Sequence, residues 1–520
     1  MTPAASPVWY EGIRRPKRPS LDGTLDTEVA VIGAGITGLT TALLLARDGR
    51  RVALIEAARV GAGTSGHTSA HVTDVLDLRH RALLSRFGDR VGRLVLERAA
   101  AALQCIGDLV AAHDLRCGFE RVPAYLFTER ETERADLEEE RQAAERLGRV
   151  CELTSAAPLP WPTAAALQFP DQAMFQPMRY LLGLAQLAID CGVELFEHTR
   201  VVNFTEWRGE GVRFDTPEGQ VRAEHAVFAT HTPPGIALVH TEVAPQRSYL
   251  MTLDSEVVLP PGLFFDTAEP YHYLRRVEVD KQPLILLGGA DHKTGEKQNA
   301  SQAYAELEEW AASRLPPFTV RHRWSAQLYE PADGLPYIGR SPASQRTYIA
   351  TGFSGTGLVF GTMAAMELAS MLRGEQRENP FDPARVKLSA APRVIAENSK
   401  VAAHWIGDRL SPGDVSGLDE VPRGEGRIVR IGGARRAVFR ADDDSVSVLS
   451  SVCTHMRCQV RWNDAERSWD CPCHGARYAP TGEVLEGPAL RALPRVQIAD
   501  QPQVRRTAAR AVPKSEVSRG

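Results

Sequence analysis

Two short segments near the C-terminal end carry the densest chemistry in the chain. "CTHMRC" begins at Cys453 and "CPCHGARY" at Cys471. Cys453, His455, Cys471 and His474 together offer two thiolates and two imidazoles, with fifteen residues between the pairs. Such ligands bind zinc or iron. Zinc fingers keep Cys with Cys and His with His, whereas each pair here mixes the two types. The mixture suits two irons, with Cys453 and Cys471 on one and His455 and His474 on the other; a structural zinc ion is the alternative. Half of the chain's eight cysteines lie in this stretch. The others, Cys105, Cys117, Cys151 and Cys191, stand in apolar, helix-like surroundings and read as core residues.

Four hundred residues upstream lies a second constellation. Gly33, Gly35 and Gly38 form G-x-G-x-x-G between the apolar run "EVAVI" and the helical run "LTTALLLARDG". The first glycine permits a tight turn, the second lets the backbone approach a pyrophosphate, and the third lets helix and strand pack closely. N–H groups at the helix N-terminus attract phosphates. Glu56 ends the next strand, "RVALIE", where its carboxylate is placed to accept hydrogen bonds from a ribose diol. These features predict a dinucleotide site. A further match, "GAGTSG" at 61–66, contains Gly63, Thr64, Ser65 and Gly66. The polar run "HTSAHVTD" follows it instead of a helix, so it reads as a loop lying along the same cofactor.

The run from Val29 to Gly66 resembles the N-terminus of flavoproteins of the D-amino-acid-oxidase-like family. "AVFATHTPPG" (226–235), with Ala229, resembles the strand and turn that close over the adenine side in that family. "GLPYIGR" (334–340) followed by "TGFSGTGLVFGTMAAMELA" (351–369) resembles its C-terminal flavin segment. There the backbone around Gly352, Gly355 and Gly357, at a helix N-terminus, would face the pyrimidine end of the flavin and favour its anionic reduced form. The resemblance spans roughly residues 25–375 and implies FAD. His67 stands where some amine-oxidising relatives carry a histidine linked covalently to FAD, although its surroundings match only in part. His231 reads as a loop residue. Reductases that oxidise NADH through FAD usually carry two cradles; one cradle implies that electrons enter from a substrate held against the flavin.

The Cys/His segment in turn resembles the Rieske [2Fe–2S] motif, in which histidine replaces cysteine on one iron. The resemblance implies a disulfide between Cys458 and Cys473 joining the two cluster loops. Two positions depart from the pattern. Arg457 replaces a glycine, and Ala476 replaces a serine whose hydroxyl would donate to a cluster sulfur and stabilise the reduced state. Tyr478 keeps the other expected donor. The cluster potential is therefore expected below that of respiratory-type Rieske proteins, within the family range of about −150 to +300 mV. Together the two resemblances imply oxidation of a C–N bond in a small amine or amino acid, with electrons relayed singly to an external acceptor. An electron-transfer module serving a partner oxygenase, or a redox sensor, are the alternatives. For the substrate, "YHYLRR" (271–276) places Tyr273 and Arg275 on one face of a strand by alternation, where Arg275 could pair with a carboxylate.

The elements that position these groups follow from pattern. The strand–helix–strand unit requires a parallel sheet, the strand-rich middle predicts an antiparallel substrate sheet, and the short β runs after Gly426 predict a small all-β module. The fold class is thus α/β with an antiparallel substrate domain plus a Rieske domain. The boundaries are an extension over 1–24, an oxidoreductase over 25–385, a Pro/Gly-rich linker over 386–424, a Rieske domain over 425–505 and a basic tail over 506–520. A net charge of −4 gives no reason for a nucleic-acid partner. No apolar stretch reaches the roughly 18 residues that a span needs. Arg14 and Arg15 resemble a twin-arginine export signal, but no apolar region follows them. The expected location is the cytoplasm.

Overall fold

The computed structural model describes residues 6–207, 210–235, 237–296, 299–385, 394–395, 399, 414–415 and 417–497. Most of the expected linker and all of the expected tail lie outside them.

The apolar run before the cradle forms the strand Gly23–Ile32. It pairs in parallel with Gly219–Phe228 on one side and Val52–Ile55 on the other. Thr347–Thr351 and Glu194–Phe196 extend the parallel order outward, and Tyr337–Arg340 closes one edge antiparallel. Val29, Val31 and Leu54 are buried on this sheet's two-faced core, as β-branched runs in parallel sheets require. The cradle helix, Ile36–Arg47, packs on the helix Gly357–Leu372. A Cβ at Gly361 would stand 2.7 Å from Thr37 Oγ1, so the close crossing depends on that glycine.

Among the described residues, a second sheet has nine strands. Its long strands Phe318–Pro331, Val243–Ser255, Gln282–Lys293 and His272–Val279 run antiparallel in that order. The extension is less loose than its composition implies. Val8 and Trp9 are buried in the main core, and Trp9 Nε1 donates to Thr68 O at 2.7 Å.

Two small sheets follow. One joins Gly426–Ile431, Ala434–Arg440 and Val446–Ser450; the other joins Arg461–Asn463, Ser468–Asp470, Arg477–Tyr478 and Val484–Glu486. Trp469 and Tyr478 fill the core between the cysteine loops. Of the four cysteines read as core, only Cys117 is fully buried; Cys105 and Cys151 are half-buried, and Cys191 is exposed at a helix end, where its side chain turns outward.

Candidate functional site

A cavity of about 1050 Å³ runs from the glycine cradle to the far sheet. It lies at the upper end of small-molecule sites, roughly 300–1,000 Å³. Gly33, Gly35, Glu56, Gly63, Thr64, Ser65 and Ala229 line one end, and Gly355 and Gly357 line the wall beyond. The cradle is built for bare backbone. A Cβ at Gly33 would stand 2.5 Å from Ala229 O, and one at Gly38 would stand 1.8 Å from Gly33 O. Gly38 and Gly66 are packing glycines, and Gly352 is a turn glycine with φ +79°. The 61–66 loop lies along the cradle as expected: Ser65 Oγ accepts from Ile36 N at 3.1 Å. Glu56 accepts from Ala34 N and Ala58 N, both at 2.8 Å, while burial pushes its carboxyl up. A cofactor with two phosphates and a ribose diol fits this donor and acceptor set. His67 lines the cavity, with Nδ1 3.0 Å from Gly63 O, and burial pushes its imidazole down. His231 also lines the cavity, held at 3.2 Å by Thr64 Oγ1 and pushed down to about 4 by burial.

Of the two residues expected to face a substrate, Tyr273 lines the cavity and Arg275 does not. Tyr273 lines the cavity, and its hydroxyl lies 2.8 Å from Ser248 Oγ. Burial pushes its phenol up, so it stays protonated. Arg275 turns away from the cavity. Its guanidinium donates to Ser69 O at 2.8 Å, Phe175 O at 3.1 Å and Arg276 O at 3.3 Å, over the ring of Trp9 at 5.0 Å. Three of its five N–H donors go to carbonyls, and its stack on Trp9 ties the N-terminal segment to the sheet. Sequence reasoning missed Asp77 and Asp291, which also line the cavity. Asp291 ends the apolar run "PLILLGGAD", and a carboxylate at the end of a buried strand was the available signal.

The cluster residues converge. Cys453 and Cys471 are buried free thiols, and the His455 and His474 rings lie 5.0 Å apart. The two thiols sit close enough to share a proton, which lowers the proton affinity of Cys453 and raises that of Cys471. His455 Nε2 stands 3.0 Å from Gly235 O. A carbonyl only accepts, so Nε2 carries the hydrogen and Nδ1 is left for a metal, the usual arrangement for a ligating imidazole. Burial pushes His474 down to about 3, into the neutral form that a ligand needs. Cys458 and Cys473 form the expected disulfide. A cysteine group also clusters around Cys471, but two of its three members are spent in that bond. Tyr478 OH lies 3.1 Å from Cys453 Sγ, and Ala476 is buried with no hydroxyl to offer. Arg457 has φ +61°, the left-handed region that glycine adopts without strain.

The two halves meet at the cavity wall. Tyr329 lines the cavity and donates to His474 O at 3.2 Å; Gln327 Nε2 donates to Gly475 O and Tyr329 OH, both at 3.0 Å. A Cβ at Gly475 would stand 2.6 Å from Pro245 Cβ, so this contact requires a glycine. His240 packs its ring 5.0 Å from His455 and 5.7 Å from His474. Buried Arg247 faces Glu466 at 3.3 Å and Glu486 at 3.9 Å, and Arg477 joins both to Asp470. Glu466, Arg477 and Glu486 line the same cavity as the cradle.

Residues 28–371 match the FAD dependent oxidoreductase family and residues 412–497 the Rieske [2Fe-2S] domain. YhfW of Bacillus subtilis (strain 168), which carries the name Rieske 2Fe-2S iron-sulfur protein, is 33% identical over 95% of this chain and 98% of its own. Gamma-glutamylputrescine oxidoreductase of Escherichia coli (strain K12) is 23% identical over 68% of this chain and 86% of its own. The crystal structure of glycine oxidase from Geobacillus kaustophilus superposes with a TM-score of 0.58 at 20% identity, over 69% of this chain and 97% of that one. Among the described residues, no helix is long and apolar enough to cross a membrane. The chain belongs to the FAD-dependent oxidoreductase family, carries a C-terminal Rieske domain, and uses FAD and a [2Fe–2S] cluster as its cofactors.

Proposed function

We propose that the protein oxidises the C–N bond of a small amine or amino acid and passes the electrons one at a time, through the Rieske cluster, to an external acceptor. FAD accepts two electrons and releases them singly, and the cluster carries one at a time. The substrate carbon next to nitrogen gives up its hydrogen with an electron pair. The imine adds water and splits into a carbonyl compound and a free amine. Overall the substrate and one water yield these two products, two electrons and two protons; two equivalents of a one-electron acceptor take the electrons. The relatives' names, a glycine oxidase and a gamma-glutamylputrescine oxidoreductase, point to an amino acid and an amine respectively.

The observation that carries this reading is Tyr329. One side chain lines the cofactor cavity and hydrogen-bonds the loop carrying His474. The chain's own residues thus separate the flavin cavity from the proposed cluster ligands Cys453, His455, Cys471 and His474 by a single layer. Tyr329 and Gln327 hold the cluster loop against the cavity, and Arg477 pairs with Glu466 and Glu486 along that wall. Tyr273 is the proposed substrate-facing residue. The test is an anaerobic panel of amines and amino acids mixed with the holoprotein. One class should bleach the flavin and then the cluster. Reduction only by a soluble electron carrier, with no response to any panel member, would contradict the reading.

A further inference from the structure

We propose that the substrate is an organic cation, an alkylamine whose oxidised carbon bears no carboxylate, held by the carboxylates at the sheet end of the cavity. The inference rests on the function proposed above and narrows its substrate class.

Four carboxylates line this lobe: Asp77, Glu269, Asp291 and Glu330. Tyr271 and Tyr273 stand among them with ring centroids 5.7 Å apart. The four come from separate segments of the chain, and the fold brings them to one wall. Asp291 is the central one. It sits at the end of the buried strand Gln282–Lys293, and its Oδ1 has no hydrogen-bond partner. A desolvated carboxylate oxygen without a donor is costly unless something charged or hydrogen-bonding completes it. Burial, opposed by a hydrogen bond from Ser248 and reinforced by Glu330, Asp77 and Glu269, pushes its carboxyl up to about 7. A bound ammonium group would supply both the missing donor and the missing charge, and tyrosine faces favour a cation beside them.

The same lobe is unsuited to an amino acid. Recognising a carboxylate calls for a free guanidinium. Arg275, on the right strand, is committed to three carbonyls. Of the arginines lining the cavity, Arg200 lies beside Glu56 at the cradle, and Arg477 belongs to the interdomain ion network. Arg79 remains near Asp77, with one N–H directed at Asp266 O at 3.4 Å. The lobe is lined by more carboxylates than guanidinium groups, and a substrate carboxylate would meet like charge from Asp291 and its neighbours there.

The test has two arms, both on the holoprotein. In the first, putrescine, N-acetylputrescine and benzylamine are compared anaerobically with glycine, L-proline and L-alanine. An amine should reduce the flavin at concentrations where the amino acids do not. Reduction by the amino acids alone overturns this inference and leaves the proposed function standing; reduction by neither class overturns both. The second arm needs no turnover. Tetramethylammonium and acetate are titrated separately while the flavin absorption spectrum is followed. The cation should give a saturable shift, weakened at least tenfold in Asp291→Asn, with flavin content and the cluster's paramagnetic spectrum unchanged. Asp291→Glu should restore part of the affinity. A shift from acetate but not from the cation, or an Asp291→Asn variant that binds the cation as the wild type does, overturns the assignment.

Discussion

The cluster loops and the substrate lobe are both buried and both built around charged or ligating side chains, yet they are put together in opposite ways. The cluster site comes from two segments 15 residues apart, braced by one disulfide and one tyrosine. The substrate lobe draws Asp77, Glu269, Asp291 and Glu330 from four places across more than two hundred residues. A metal dictates residue type and spacing, so a cluster site is written locally. A cavity dictates only what its walls add up to, and many sequences can give the same sum.

The comparison can be broken most severely at the ligands. Cys471→Ser should abolish the cluster, with iron per chain falling to background while FAD content stays at wild-type level. Loss of both cofactors would mean that the two regions are not separate units. Next, Gly38→Ala should reduce bound FAD more than tenfold, read from flavin absorbance per chain, because its Cβ would lie 1.8 Å from a carbonyl oxygen. The cluster should survive that change.

The substrate lobe is sharpened by pH. Asp291 has its carboxyl raised to about 7, faced by Asp77, Glu269, Glu330, Ser248 and Tyr273. An alkylammonium stays protonated well past this range, with a proton affinity like that of lysine at about 10.4. Ionised Asp291 is therefore the form that holds the cation, and affinity should rise about tenfold from pH 6 to pH 8 as that fraction grows. Asp291→Asn should flatten the profile. For stability the sign is opposite: the folded carboxyl holds its proton longer than the unfolded one, so this group favours folding at low pH and loses that contribution as pH rises towards 7. Thermal melts of the wild type and Asp291→Asn should converge in acid and diverge near neutrality.

Smaller effects belong to the wall between the regions. Tyr329→Phe removes the hydrogen bond donated to His474 O, worth about 1 kcal/mol, together with the one accepted from Gln327 Nε2, and should slow cluster reduction at least roughly fivefold while leaving flavin reduction unchanged. Ala476→Ser restores a donor to the cluster. One hydrogen bond of about 1 kcal/mol corresponds to roughly 40 mV for a single electron, so the midpoint should rise by about that amount in voltammetry. A fall would contradict the role assigned to the missing hydroxyl.

How legible the molecule was in its sequence follows the same division. Cys453, His455, Cys471 and His474, and the Cys458–Cys473 bond, could be read because each is tied to a neighbour within a short loop. The cradle glycines were legible for the same reason: the strand and helix flanking them fix what a side chain would strike. Arg275 was misread because alternation assigns a face of a strand but says nothing of what covers that face. Here Trp9, from the N-terminal extension, covers it, and the guanidinium lies among carbonyls. Arg457 drew notice only as a departure from a pattern, and its φ of +61° supplies the physical reason that glycine suits the position. Tyr329 and Gln327 could not be found from sequence, since their importance comes from a loop nearly 150 residues further on.

The proposed function requires that charge move from flavin to cluster inside one chain. The direct measurement is anaerobic rapid mixing of the holoprotein with a reducing amine, followed by low-temperature electron paramagnetic resonance at several protein concentrations. Flavin bleaching should come first, then the g-anisotropic signal of a reduced Rieske cluster, at a rate independent of protein concentration. A bleached flavin beside a cluster that stays oxidised, or a cluster signal whose rate scales with protein concentration, would contradict the proposed function.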